Sequence, residues 1–442
     1  MSIWKDCDIR GIYGEEFGVE DAYKIGRAIG TMIQGRDIIV AGDVRVSTPE
    51  LKSELIRGLM ETGAAVCDAG MLPTPVFYFA KKYLGKFAGV MVTASHNPAE
   101  YNGFKVMIGD SAVEKSQLDT IQRIFETCKF ADGTGTVTAA GDMETAYIRS
   151  IKKKLGCSGG LKVVVDAGNG AMSELAPKLF REMGYDTVPL YCDFDGSFPN
   201  RNPNPAAKDA LGGLMEAVKK NGADLGAAFD GDGDRVVFVD DKGRKVESEQ
   251  SLVVFIRHYL RGKAGSVVYD LKSSSIVEHE VKRLGGIPLM ERSGHAFIKK
   301  RYLDNGSVIA GEISGHFFFK ELGQDDGLYA ALKMAEIIEE SGEKLSYMVD
   351  GMEKTCITPD LRVKVPYSEQ ERVLHQVEKL DGDKSYIDGV RVETADGWML
   401  VRKSVTEQAV TIRAEAKDEA AMRRMEKKLR DNVDAFKDLK LM

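Results

Sequence analysis

Three stretches of the chain follow one plan: an apolar run ending in Asp, a polar turn, an amphipathic stretch of helical period, then Gly ahead of the next apolar run. The runs cover 37–43, 161–166 and 265–270 and end in Asp43, Asp166 and Asp270. The periodicity predicts helices over 49–62, 172–183 and 275–284, with Gly63, Gly184 and Gly285 just past them, where a left-handed residue ends a helix. A strand, a crossover helix and another strand at this length make a parallel βαβ unit. Three copies imply three related α/β domains with parallel or mixed sheets.

Beyond about residue 355 the pattern changes. Segments 361–365, 389–393, 398–402 and 409–415 alternate like half-exposed antiparallel strands, and a charged helix begins near Glu419. The expected architecture is three similar α/β domains (1–145, 146–248, 249–355) plus a C-terminal α+β domain (356–442) around a central cleft. With 43 % hydrophobic residues, each domain has material for a separate core.

The sharpest chemical signal is 229–235, where Asp230, Asp232 and Asp234 alternate with Gly231 and Gly233 between two apolar runs. Alternating carboxylates repel one another unless a cation gathers them, and glycine lets the backbone curl so that all three face one centre. Mg²⁺ suits this oxygen set. A calcium EF-hand does not, because its loop needs Gly at the sixth position and flanking helices, whereas Arg235 stands there between strands. A phosphatase loop with Asp230 as nucleophile stays open on these residues.

A second signal is Ser95-His96-Asn97-Pro98 just past an apolar strand, followed by a segment carrying Lys105. Such strand ends present reactive groups in α/β sheets. In the third, Glu312, Ser314 and His316 share one turn, a set able to bind sugar hydroxyls, and His295 lies in a similar Ser-Gly-His-Ala context. The fourth places Arg402, Lys403, Ser404 and Thr406 in one loop, the usual way of holding phosphate without a metal.

Charge excludes other classes. Lys plus Arg number 61 against 68 Asp plus Glu, a net −7 with both signs interspersed, which argues against a nucleic-acid surface. The N-terminus has no secretory apolar region and no stretch reaches membrane-spanning length, so a soluble cytoplasmic protein is expected. Cys7, Cys67, Cys128, Cys157, Cys192 and Cys356 form no CxxC pair and read as reduced thiols.

Taken in order along the whole chain, the four signals resemble the α-D-phosphohexomutase superfamily. Asp8-Ile-Arg10-Gly11 resembles its opening motif, 93–98 its phosphoserine loop and 230–235 its metal loop; 198–205 and Asp325-Asp326-Gly327 match further landmarks. The 311–316 loop is similar to the phosphomannomutase/phosphoglucomutase version. The resemblance implies reversible phosphoryl transfer on a mannose or glucose phosphate through a phosphorylated Ser95 and a hexose 1,6-bisphosphate. Mg²⁺ is then held by Ser95, Asp230, Asp232 and Asp234, and Arg10, His96 and Lys105 serve the reacting centre with Ser95. Arg235, Lys272, His295, Glu312, Ser314, His316, Arg402, Ser404 and Thr406 bind substrate. Glucosamine or pentose phosphates are the nearest rival substrates. Two departures stand out: Val405 and Gln408 replace a small residue and a Pro of the family's last loop, and Cys7 stands where an aromatic is common.

Overall fold

The computed structural model describes residues 3–109, 111–156, 159–404 and 408–441, so Cys157, Val405 and Thr406 lie outside the described residues. Strand Ile38–Gly42 lies between Ala65–Met71 and Ala88–Val92, parallel to both. Tyr101–Ile108 then adds antiparallel to Ala88–Val92, and its far edge takes Ile9–Ile12 and Ser111–Ala112.

The next two sheets repeat this order. Lys162–Asp166 is flanked by Asp186–Leu190 and Leu225–Phe229, both parallel, before Val236–Asp240 and Lys245–Val246 follow antiparallel. Ser266–Asp270 is flanked by Ile287–Glu291 and Ile309–Gly311, before Phe317–Phe319 and Gln324–Asp325. Each central strand is apolar over nearly its whole length because helices cover both faces. The sheets are mixed, and the expected threefold repetition is present in the strand order itself.

The repeated helices run Thr48–Met60, Leu175–Glu182 and Ser275–Arg283. Gly63, Gly184 and Gly285 take φ of 85°, 96° and 74°, as their place after a helix requires. The second helix starts three residues later than its periodicity suggests. The chain first turns at Gly168 and Asn169, both left-handed, and the Ser173 hydroxyl donates to the Gly170 carbonyl at 2.7 Å, holding the turn open.

The C-terminal unit has the expected strands Leu361–Lys364, Val390–Thr394, Gly397–Lys403 and Ala409–Ala416, antiparallel, with helices Tyr367–Glu378 and Glu419–Asn432. Its core is its own, built on Val373, Val392, Ile412 and Met425. On one face of each of the first three sheets the expected separate core is present, around Ile29 and Leu55, Leu214 and Val218, and Ile298 and Phe318, while the opposite faces share one. One continuous apolar cluster runs from Ile39 and Met91 through Val163 and Phe229 to Val267 and Phe317. Helix Gly327–Ser341 joins them, since it follows the third sheet yet packs on Leu225–Phe229 and Val236–Asp240 of the second. Among the described residues, no helix is long and apolar enough to cross a membrane.

Helices Val19–Met32 and Thr48–Met60 back the first sheet and touch through glycine. A Cβ on Gly58 would sit 2.2 Å from the Tyr23 carbonyl oxygen, and one on Gly26 2.3 Å from that of Leu55. Gly58→Ala is therefore expected to destabilise by about 1–3 kcal/mol, read as a lower urea midpoint at unchanged slope; an unshifted midpoint contradicts this packing.

Candidate active site

In every repeat, the turn between the third strand and its antiparallel neighbour carries one of the sequence signals. These turns are 93–100, 230–235 and 312–316, and all three meet at one cleft. In the middle one Asp230, Asp232 and Asp234 are fully buried, each offering an oxygen within 4.8 Å of the others. Gly233, at φ 81°, makes the curl possible, whereas Gly231 is needed for closeness: a Cβ there would lie 2.5 Å from the Ser95 carbonyl oxygen.

Buried carboxylates must be compensated. The Asp230 Oδ1 accepts from the amides of Gly233 and Arg235 at 3.0 and 3.1 Å, and its Oδ2 from Ser95 Oγ at 2.8 Å. Lys105 Nζ bridges Asp232 Oδ2 and Asp234 Oδ2 at 2.7 and 2.5 Å, and Thr74 Oγ1 donates to the same Asp232 oxygen at 2.6 Å. Burial, then Asp232 and Asp234, push the Asp230 carboxyl up to about 8. For Asp234 burial is opposed by Lys105 and His316, which hold it down at about 2. Among the described residues Asp232 Oδ1 and Asp234 Oδ1 find no hydrogen-bond partner although buried, so this donor set fits a hard divalent cation.

Ser95 is buried and left-handed at φ 51°, its amide donating to Thr93 Oγ1 at 2.8 Å. His96 Nδ1 lies 3.4 Å from Ser95 Oγ. Burial and the guanidiniums of Arg235 and Arg10 hold that imidazole well below the ordinary histidine range, hence neutral. Arg10 donates to Asn97 Oδ1 at 2.8 Å and pairs with Asp8 at 2.5 Å, so the opening motif edges the serine turn. Cys7 beside it is a poor nucleophile, because burial and Asp8 push its thiol up to about 11.

The third turn docks on the second. Gly315, at φ 96°, accepts from the Val236 amide at 3.1 Å, and a Cβ there would sit 2.8 Å from the Val236 carbonyl oxygen. Arg235 Nε donates to His316 Nε2 at 3.0 Å, which leaves the proton on Nδ1, 2.9 Å from Asp325 Oδ2. His295 stacks on His316 at 5.4 Å between centroids, and burial with His316 pushes it down to about 4. Glu312 Oε2, Ser314 Oγ and Asp270 Oδ2 are buried and find no hydrogen-bond partner among the described residues, spare capacity suited to hydroxyl groups.

The cleft, about 310 Å³, is lined by Lys5, Asp8, Arg10, Ser95, Asn97, Lys105, Arg235, His295 and His316. Of the expected site residues, His96, Glu312, Ser314, Lys272, Arg402 and Ser404 stand outside that lining. Lys272 pairs with Asp360, Arg402 with Asp388 at 2.5 Å, and the Ser404 amide donates to the Ala409 carbonyl at 2.9 Å. The latter two belong to the separately cored C-terminal unit, which is fastened to the third repeat through Glu415, accepting from Ser275 N and Thr355 Oγ1 at 2.7 and 2.6 Å, while Trp398 Nε1 of its own unit steadies the same carboxylate at 2.6 Å. Sequence reasoning missed Thr74, which no local pattern could assign to an aspartate 158 positions away, and Arg45, whose only signal was its place two residues past Asp43.

Fold and site define a multidomain α/β protein with a buried serine and carboxylate centre. Models of the phosphoglucomutase/phosphomannomutase alpha/beta/alpha domains I, II and III match residues 2–132, 145–243 and 247–355, and that of the C-terminal domain matches 361–432. A phosphomannomutase/phosphoglucomutase of Pseudomonas aeruginosa is 36 % identical, covering 98 % of this chain and 96 % of its own. A phosphoglucomutase of Neisseria gonorrhoeae is also 36 % identical, over 98 % of this chain and 97 % of its own. The crystal structure of a phosphoglucomutase/phosphomannomutase family protein from Burkholderia thailandensis superposes with a TM-score of 0.92 at 35 % identity, covering 98 % and 97 % of the two chains. The chain belongs to the phosphoglucomutase/phosphomannomutase family.

If Lys105 balances the carboxylates, Lys105→Met should destabilise the chelator-treated protein by roughly 3–5 kcal/mol. Added Mg²⁺ should then raise the variant's unfolding midpoint further than the parent's. Equal midpoints with and without the ion would contradict the charge balance.

Proposed function

We propose that this hexose-phosphate mutase interconverts the 1- and 6-phosphates of mannose or glucose in the cytoplasm, with Ser95 carrying the phosphoryl group and a hexose 1,6-bisphosphate as intermediate and activator. The observation that carries this reading is the 2.8 Å contact of Ser95 Oγ with Asp230 Oδ2, inside a turn whose two other aspartates keep unpartnered oxygens. A phosphoserine brings a charge of about −1.5 to −2, which three bare carboxylates would repel.

Asp230, Asp232, Asp234 and an oxygen on phosphorylated Ser95 would hold Mg²⁺, which when bound offsets these charges and draws electron density from the migrating phosphoryl group. Lys105 and Arg235 keep positive charge beside Ser95 throughout. Neutral His96, 3.4 Å from Ser95 Oγ, and Arg10 face the incoming sugar hydroxyl, while His316 is held by Arg235 and Asp325. Glu312 and Ser314, with Lys272 and His295, hold the ring. Arg402, Ser404 and Thr406 hold the phosphate already on the sugar. Each expected domain thus gives one function: 1–145 the carrier, 146–248 the metal ligands, 249–355 the ring contacts and 356–442 the phosphate grip. The bisphosphate then turns over in the cleft and returns a phosphoryl group to Ser95.

Asp230 is poorly suited to act instead as a phosphatase nucleophile. Ser95 Oγ occupies one of its oxygens and two backbone amides the other.

Intact-mass measurement should find part of the protein heavier by about 80 Da, a gain lost in Ser95→Ala together with nearly all turnover of glucose 1-phosphate and mannose 1-phosphate. Full activity in that variant overturns the scheme. Arg402→Ala should raise KM for the sugar phosphate about tenfold or more, and an unchanged KM removes the C-terminal unit from substrate binding.

A further inference from the structure

We propose that Arg45 is a positioning residue for phosphoryl transfer: its buried guanidinium fixes the backbone of the 95–101 turn and so sets where Ser95 Oγ meets the Asp230 turn. The side chain is fully buried, with every direction of its donor fork in use. Nε donates to Asp43 Oδ2 at 3.2 Å. Nη1 donates to the carbonyls of Pro98 and Tyr101 at 2.6 and 2.9 Å, and Nη2 to those of Ser95 and Asn97 at 2.8 and 2.6 Å. The turn is wrapped around one planar cation. Ser95 needs such a hold, because its left-handed φ of 51° is a conformation that serine abandons unless its surroundings enforce it.

The clamp is also tied to the other half of the centre. The ring of Phe198 lies 5.1 Å from the Arg45 guanidinium, and the same ring borders Gly231, where a Cβ would be 3.4 Å away. Gly196 approaches so closely that a Cβ there would sit 2.7 Å from Arg45 Cα. Three residues past Phe198, Arg201 repeats the device in the second sheet. Its Nε donates to both oxygens of Asp166, at 3.0 and 2.9 Å, and its Nη2 to the carbonyl of Phe229 at 2.6 Å, directly ahead of Asp230. Each turn meeting at Ser95 and Asp230 is thus held by a buried arginine that is oriented by the Asp ending its repeat's first strand. In the third repeat the equivalent Asp270 instead bonds Ser293 Oγ and the Lys272 amide. This assigns a role to the 198–205 segment, and it rests on the reading of Ser95 as the carrier.

Lysine keeps the charge of arginine but not the planar fork, so Arg45→Lys isolates the geometry. The variant and the parent enzyme are compared with glucose 1-phosphate, Mg²⁺ and glucose 1,6-bisphosphate, and turnover is normalised to the fraction phosphorylated by intact mass. The expected result is a KM within about threefold of the parent and a kcat per phosphorylated molecule lower by roughly 100-fold, the scale of a small misplacement of reacting atoms. A kcat within about twofold, or a loss confined to KM or to the phosphorylated fraction, overturns the proposal. Should Arg45→Lys not fold, Phe198→Leu removes the ring beside the guanidinium and keeps all its donors. A kcat roughly tenfold lower at unchanged KM then supports the proposal and an unchanged kcat overturns it. A parent enzyme that never carries phosphate defeats the carrier reading instead, which separates the two failures.

Discussion

Three carboxylates buried in one six-residue turn are a charge problem that no single unit of this protein solves. The second repeat supplies Asp230, Asp232, Asp234 and Arg235; the first supplies Lys105, Thr74 and Ser95; the third supplies His316. Because burying unpaired charge is so costly, the turn keeps its shape only when its neighbours are docked. Apolar packing works the same way, with one shared cluster running between the first three units beside a separate cluster in each, so charge balance and hydrophobic burial both oppose separating them. The C-terminal unit is tied in the same two ways on a smaller scale, its Trp398 and Leu400 clustering with Leu271 and its Arg413 pairing with buried Glu249. It keeps its own core besides and meets the third repeat through Glu415, which accepts from Ser275 N.

Repetition explains how one topology yields three kinds of chemistry. In each unit the chain leaves the third strand, turns, and comes back antiparallel, and this turn is free to vary because the strands on either side already fix its ends. A serine turn, a carboxylate turn and a turn carrying Glu312, Ser314 and His316 occupy equivalent places. Docking brings them within contact distance, with Gly231 and Gly315 sited where no Cβ fits.

Much of this was legible in the sequence. Apolar runs ending in Asp marked the central strands, glycines past the helices took the left-handed conformation expected of them, and alternation after residue 355 located the C-terminal strands closely. Alternating Asp and Gly was readable because folding alone has no use for it. What could not be read is long-range pairing: Thr74 with Asp232, Tyr147 with Asp326, and the backbone carbonyls around Arg45 involve residues with no local pattern linking them. The apolar cluster shared between the first three sheets was not legible either, since periodicity says which face of an element is buried but not against which neighbour. The cations drawn from sequence into one cleft divide in the structure, because Arg402 and Lys272 answer to Asp388 and Asp360 while Arg10, Lys105 and Arg235 line the cavity.

On the proposed scheme Ser95 hands its phosphoryl group to the substrate and receives one back, a cycle that can be followed directly. Its most direct test is a single turnover with enzyme carrying a radioactive phosphoryl group on Ser95 and excess unlabelled glucose 1-phosphate. Label should leave the protein at the rate of turnover and appear first in glucose 1,6-bisphosphate and then in glucose 6-phosphate, with none released as inorganic phosphate. Label that stays on the protein through many turnovers, or emerges as free phosphate, would contradict it.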